Sequence, residues 1–176
     1  MRIISGIYKS RILKSPRKSE TARPTTDRAR ETLFNMLNNL LEYEDVTCLD
    51  LYCGTGSFGL ECVSRGAEKV FFVDTNTRMI ESNIEMLQAD EKCSVFNKEV
   101  LSFLKNDYNG ECNLVFADPP YEYKEYDELI HLLSAHESYF ILEHSGKFNY
   151  FGEYSPQLFL TKKIGFTSFT FFNFNK

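Results

Sequence analysis

The chain is expected to fold as an α/β protein built on a doubly wound parallel sheet, and three observations carry that expectation. Strand-like hydrophobic runs alternate with helical stretches from residue 46 to residue 143. The first of these strands ends at Asp50 and runs into a glycine-rich turn, Gly54-Thr55-Gly56-Ser57-Phe58-Gly59, that opens a helix. The last segment breaks the alternation with two strand-like runs and no helix between them. Alternation at this spacing places a parallel sheet between two layers of helices. Right-handed crossovers leave few topologies, of which the doubly wound sheet is the common one. At 176 residues and 43% hydrophobic content, the chain can fill one core and not two.

Each element has its own justification. Arg2-Ile3-Ile4 and Arg11-Ile12-Leu13 interleave charged and apolar residues, as a short hairpin does. A polar loop follows over 15–20, and Thr25, Thr26 and Asp27 are good N-caps for the next stretch. Leu33, Phe34, Leu37, Leu40 and Leu41 recur at helical spacing, which predicts an amphipathic helix over 27–41. The pattern then reads strand 46–51, helix 57–65, strand 69–74, helix 77–88, strand 93–97, helix 99–106, strand 113–117, helix 124–134 and strand 138–143. Runs 157–163 and 167–173, joined at Ile164-Gly165-Phe166, predict a closing antiparallel hairpin. Residues 1–26 thus form a small basic extension and residues 27–176 the main domain.

Charge is unevenly distributed. The net charge is −5, yet residues 1–30 carry nine Lys/Arg against two acids, and the remainder eleven against twenty-three. A basic extension on an acidic body directs a polyanion to the N-terminal end. The candidate cations are Arg2, Lys9, Arg11, Lys14, Arg17, Arg23, Arg28 and Arg30. The five cysteines show no CxxC pair and no metal-ligand spacing, so free thiols and no metal are expected. No apolar run reaches the roughly 18 residues of a membrane helix, and charges stand where a signal peptide would be apolar. A cytoplasmic monomer is the expectation.

Gly54, Gly56 and Gly59 satisfy G-x-G-x-x-G, and Asp74 closes the next strand twenty residues after Gly54. In a nucleoside-binding reading the glycines let the backbone approach the ligand, and Asp74 accepts from ribose hydroxyls. A dinucleotide would place its pyrophosphate at the helix start, whereas S-adenosylmethionine brings an amino group and a sulfonium. The carboxylate of Asp50 suits the second and opposes the first. Tyr52 lies in the same turn and joins the candidate cofactor residues. Cys53, also within it, reads as a small residue that a tight turn tolerates.

The second motif is Asp118-Pro119-Pro120-Tyr121, at the end of the run 113–117. An exocyclic amine on a nucleobase is a poor nucleophile because its lone pair is delocalised into the ring. Two fixed acceptors aimed at its N–H groups would favour the pyramidal, increasingly positive nitrogen of the transition state, and the Asp118 carboxylate and Pro119 carbonyl qualify. Pro119 and Pro120 fix φ and bring no competing donors. Tyr121 offers a face for stacking a base held out of its helix.

Four stretches resemble a known family: Arg2 to Gly6, Arg23 to Glu31, Asp50 to Ala67, and Asp118 to Tyr121. The chain is similar along nearly its whole length to the RsmD-type small-subunit ribosomal RNA guanine-N2 methyltransferases of bacteria. The resemblance implies a Rossmann-like seven-stranded methyltransferase sheet in the order 3-2-1-4-5-7-6 with the last strand antiparallel. It also implies S-adenosylmethionine as methyl donor and one guanine of 16S ribosomal RNA as target, met in the RNA or in a small ribosomal subunit assembly intermediate. In similar enzymes the residue after the third strand faces the adenine, which maps to Glu99 or its neighbour Lys98. Asp74 stands where the family often has Glu, Ser10 where Gly is usual, and the stretch from Ser134 to Phe148 is shorter. Two rival readings are an adenine-N6 DNA methyltransferase, which would share the catalytic residues, and a nicotinamide-dependent oxidoreductase, which would leave Asp118 to Tyr121 unexplained. A third is an RNA-binding module without activity, which the intact motifs disfavour.

Overall fold

The computed structural model of the chain describes residues 1–15, 27–120, 122–145 and 152–175. Five parallel strands, β1 (Thr47–Leu51), β2 (Lys69–Asp74), β3 (Cys93–Asn97), β4 (Leu114–Ala117) and β5 (Tyr139–Ser145), are closed by the antiparallel pair β6 (Leu158–Ile164) and β7 (Thr167–Asn173). Their order in the sheet is β3-β2-β1-β4-β5-β7-β6, the expected one. The order reverses between β1 and β4, where Leu51 lies level with Ala117. The two predicted motifs, each starting where its strand ends, therefore open at one switch point.

Alternation along the strands feeds two cores. On one face Phe58, Phe72, Phe116 and Phe171 pack with Phe34 and Leu37 of α1 (Asp27–Leu37), Leu60 and Val63 of α2 (Ser57–Arg65), and Ile80 of α3 (Arg78–Leu87). On the other, Leu49, Val73, Val115 and Phe140 pack with Leu104 of α4 (Val100–Asn106) and Leu129 and Leu133 of α5 (Tyr126–Ser134). Phe58 stacks on Phe116 with ring centroids 4.1 Å apart, which fastens the start of α2 over β4. Burying side chains of this size contributes about 1.5–3 kcal/mol each to stability, so the sheet is a stiff base for the loops at its C-terminal edge.

One expectation is corrected. The helix predicted over 27–41 ends at Leu37, because Asn38 and Asn39, poor helix formers, carry the chain into a turn; Leu40 and Leu41 still pack against the core. The N-terminal hairpin is present as a short antiparallel pair: Arg2 bridges Ile12, and the N–H groups of Ile3 and Leu13 donate to the carbonyls of Arg11 and Met1 at 3.0 Å each. Residues 1–15 also form a strap fastened to α2. Glu61, fully buried in α2, accepts from the backbone N–H groups of Ile4 and Ser5 at 2.6 and 2.9 Å, and from Arg65 Nε at 2.9 Å. Gly6 has φ +78°, and a Cβ there would lie 1.7 Å from the Ser64 carbonyl oxygen, so the strap approaches α2 as closely as only glycine permits. Ser10 takes φ +70°, a left-handed conformation that glycine adopts without strain, at the position where the resembled family usually has glycine. Thr25 and Thr26, the expected caps of α1, lie outside the described residues.

Candidate active site

The glycine-rich turn is shaped by backbone constraints on both sides. Gly54 and Gly56 have φ +52° and +73°, and a Cβ on Gly56 would lie 2.0 Å from Ile80 Cδ1. Tyr52 also has a left-handed φ, +56°, in spite of its side chain. Gly59 has no special φ, but a Cβ there would meet the Phe72 ring at 2.4 Å. Two of the glycines thus turn the chain and the third lets α2 lie close on β2.

The carboxylates at this end of the sheet have different tasks. Asp50 is only 2% exposed, and its Oδ2 accepts the Gly59 N–H at 2.9 Å. It stands behind the turn and orients the start of α2 rather than lining an open surface. Burial, offset in part by that hydrogen bond, pushes its carboxyl up to about 8, and the nearby Asp74 adds to the rise. Asp74 faces outward: Oδ2 accepts from Gly54 N–H and Oδ1 from Asn76 N–H, each at 2.9 Å. Each oxygen keeps acceptor capacity for a hydroxyl. A cavity of about 260 Å³ opens here, lined by Gly54, Thr55, Asp74, Asn76, Arg78 and Met79. Arg78 was not singled out from the sequence, and only its place in the first turn of α3 brings it to this wall.

Glu99 is not free to act as simply as the resemblance suggested. It is the N-cap of α4, its two oxygens accepting from Leu101 and Ser102 N–H at 2.9 and 2.7 Å. Cys53 is buried, and desolvation with the neighbouring Asp50 and Asp74 pushes its thiol far above the usual range, which leaves it unreactive.

Across the switch point, Asp118 follows β4, its N–H reaching the Leu51 carbonyl at 3.4 Å. The residue is exposed at the rim, and no donor among the described residues is bonded to its carboxylate. Protein crowds the carboxyl from behind. Lost hydration, then the carboxylates of Glu143 and Asp50, raise it well above the ordinary carboxylate range. Pro119 is buried and Pro120 exposed, with the Pro120 carbonyl accepting from Tyr123 N–H at 2.8 Å. Tyr121 lies outside the described residues. Beside the loop are three aromatic rings: Tyr52 OH donates to Tyr123 OH at 2.8 Å, and Tyr123 meets Tyr126 edge-on at 5.0 Å. Sequence reading missed Tyr123 and Tyr126; their spacing after the two prolines was the available signal.

The basic strap presents Arg2, Lys9, Arg11 and Lys14, and α1 presents Arg28, all exposed. Arg30 is corrected from surface cation to internal tie, because it is 3% exposed and its guanidinium donates to the Arg2 carbonyl and to Asp27 Oδ1. Arg17 and Arg23 lie outside the described residues.

The sheet order, the turn closed by Asp74, and an acidic Asp-Pro-Pro loop across the switch point define a Rossmann-like methyltransferase, the class whose methyl donor is S-adenosylmethionine. The chain belongs to the family described as Conserved hypothetical protein 95, whose model matches residues 1–172. It is 38% identical over 138 residues to the ribosomal RNA small subunit methyltransferase D of Haemophilus influenzae, covering 76% of this chain and 70% of that protein. With the putative rRNA methyltransferase YlbH of Bacillus subtilis it shares 34% over 151 residues, 83% of this chain and 79% of the other. Among solved structures, the putative methyltransferase yhhF of Escherichia coli matches with a TM-score of 0.82 at 29% identity, covering 98% of this chain and 97% of that one. The resemblance to RsmD-type enzymes, drawn from four sequence stretches, holds.

Proposed function

We propose that this chain methylates the exocyclic N2 amine of one guanine in 16S ribosomal RNA, using S-adenosylmethionine. The observation that carries the reading is Asp118, at the rim where β4 ends, whose carboxyl is bonded to no described donor, while Asp50 and Asp74 are both engaged with backbone N–H groups. An acceptor held open at the switch point suits an incoming N–H group. The relatives named as small-subunit ribosomal RNA methyltransferases support the choice of polymer.

The residues fit the donor. Asp74 and the backbone of Gly54 would hold the ribose, and Asp50 behind the turn would fix the Gly59 N–H and so the start of α2 beside the donor. When bound, S-adenosylmethionine supplies a methyl group on a cationic sulfur, so the N–C bond forms as the C–S bond breaks. Asp118, ionised when a cationic sulfur lies beside it, and the Pro119 carbonyl would accept from the two N–H groups and stabilise the charge growing on nitrogen; after the methyl has moved, the proton would pass to the Asp118 carboxylate, whose surroundings favour its protonated form. Tyr121 stacks the extruded base. Alignment of amine, methyl and sulfur contributes about 7–11 kcal/mol of the barrier reduction.

Asp118→Ala is expected to leave S-adenosylmethionine affinity within a few-fold while cutting methyl transfer by about 10² to 10³. Calorimetry and single-turnover transfer measure the two. Unchanged turnover would remove Asp118 from the mechanism.

A further inference from the structure

Apart from the strap, a second cationic element stands over the substrate side of the cleft. In the parallel pair β4 and β5, Ala117 lies level with Leu142, and β5 runs three residues further to Ser145. Ser145 is opposite Thr167 of β7, so the turn joining β6 to β7 projects about 10 Å beyond the level at which β4 yields to Asp118, at about 3.3 Å per residue. The turn is two residues long, Gly165 and Phe166, with Gly165 at φ +65° in the first central position, as a type II′ hairpin takes. A Cβ on Gly165 would meet nothing within 4 Å.

What this projecting tip carries is unusual on an acidic body. Lys162 and Lys163 are both exposed, neither is in an ion pair among the described residues, and no acidic residue occurs from Pro156 to Asn175. Phe166 is 74% exposed, among the most exposed large hydrophobics of the described residues. Ammonium groups on the two faces of the strand that leads to a projecting aromatic ring match single-stranded nucleic acid, which offers phosphates to the first and base faces to the second. We propose that the β6–β7 hairpin tip is a second RNA contact: Lys162 and Lys163 hold phosphates, and Phe166 stacks a base, in the unpaired segment next to the nucleotide delivered to Asp118. The strap and the tip would then grip the strand at two places. The inference rests on the proposed function for its choice of RNA.

The test uses the full chain and unmodified 16S ribosomal RNA transcript, with binding measured from 50 to 200 mM KCl. The double variant Lys162→Ala/Lys163→Ala should bind with a log–log salt slope shallower by about 1.4, two contacts at about 0.7 each. Phe166→Ala should weaken binding about five-fold or more without changing the slope. S-adenosylmethionine affinity and thermal midpoint should match wild type in both. In turnover the Michaelis constant for RNA should rise while kcat holds. Wild-type affinity and slope in both variants would overturn the proposal. So would unchanged binding to bare RNA with lost turnover on small ribosomal subunits, which would mark the tip as a protein-docking surface. Failure of the wild-type enzyme to methylate any guanine would instead overturn the functional reading, and is read in a separate assay.

Discussion

At the scale of single residues, three carboxylates at one sheet edge have been given different states by their surroundings. Asp50 and Asp74 hold the glycine-rich turn, and Asp118 is open. Asp50 also sets a pH dependence. Its folded carboxyl titrates near 8 against an ordinary value of 3.8, so between about pH 4 and 8 the native state binds a proton that the unfolded state does not. Its contribution is fully present below pH 4 and is lost as pH rises through 8. Asp50→Asn keeps an acceptor for the Gly59 N–H but cannot ionise. It is expected to flatten the stability profile across that window and to exceed wild type at pH 8, as urea unfolding at several pH values would measure. A wild-type slope in the variant would assign the dependence to another group. The sequence singled out these three acids; which of them are occupied depends on partners such as Gly59 and Glu143, set only by folding.

At the scale of elements, the strands and helices lay close to their expected spans because hydrophobic periodicity and glycine punctuation are local signals. The docking of the N-terminal segment was not legible, since it depends on Glu61 and Asn83, more than fifty residues away in sequence. Asn83 is fully buried and joins three elements: its Oδ1 accepts from Lys14 N–H at 2.8 Å, and its Nδ2 donates to the carbonyls of Lys14 and Thr55. The strap and the glycine-rich turn are therefore braced by one side chain on α3. Asn83→Ala would leave those backbone groups unsatisfied, at a cost of about 1–3 kcal/mol each where water cannot replace the bond. Lower stability accompanied by weaker binding of both S-adenosylmethionine and RNA is the expected outcome. Loss of stability alone, with both affinities intact, would mean that the brace does not reach the site.

At the scale of the whole molecule, charge and topology divide the labour. In the proposed function the cofactor side of the switch point lies over β1 and β2 and the substrate side over β4 and β5, with the basic strap tied to the first through Asn83, which bonds both Lys14 and Thr55. The charge asymmetry was legible as composition, whereas the withdrawal of Arg30 into the interior was not, because a single sequence does not show which cations a fold will bury. Replacing exposed Arg11 and Lys14 by Ala should weaken RNA binding and reduce its salt slope by roughly 0.7–0.9 log units per lost phosphate contact. An unchanged slope would mean that the strap is not an RNA grip. Phosphate contacts position the strand without specifying the base, so under the proposed function target identity would be decided by base contacts near the Asp118 loop. The most direct test is transfer of labelled methyl from S-adenosylmethionine to small ribosomal subunits lacking the modification, followed by nucleoside analysis. N2-methylguanosine at a single position is the predicted result; methyladenosine, or no label in RNA, would contradict it.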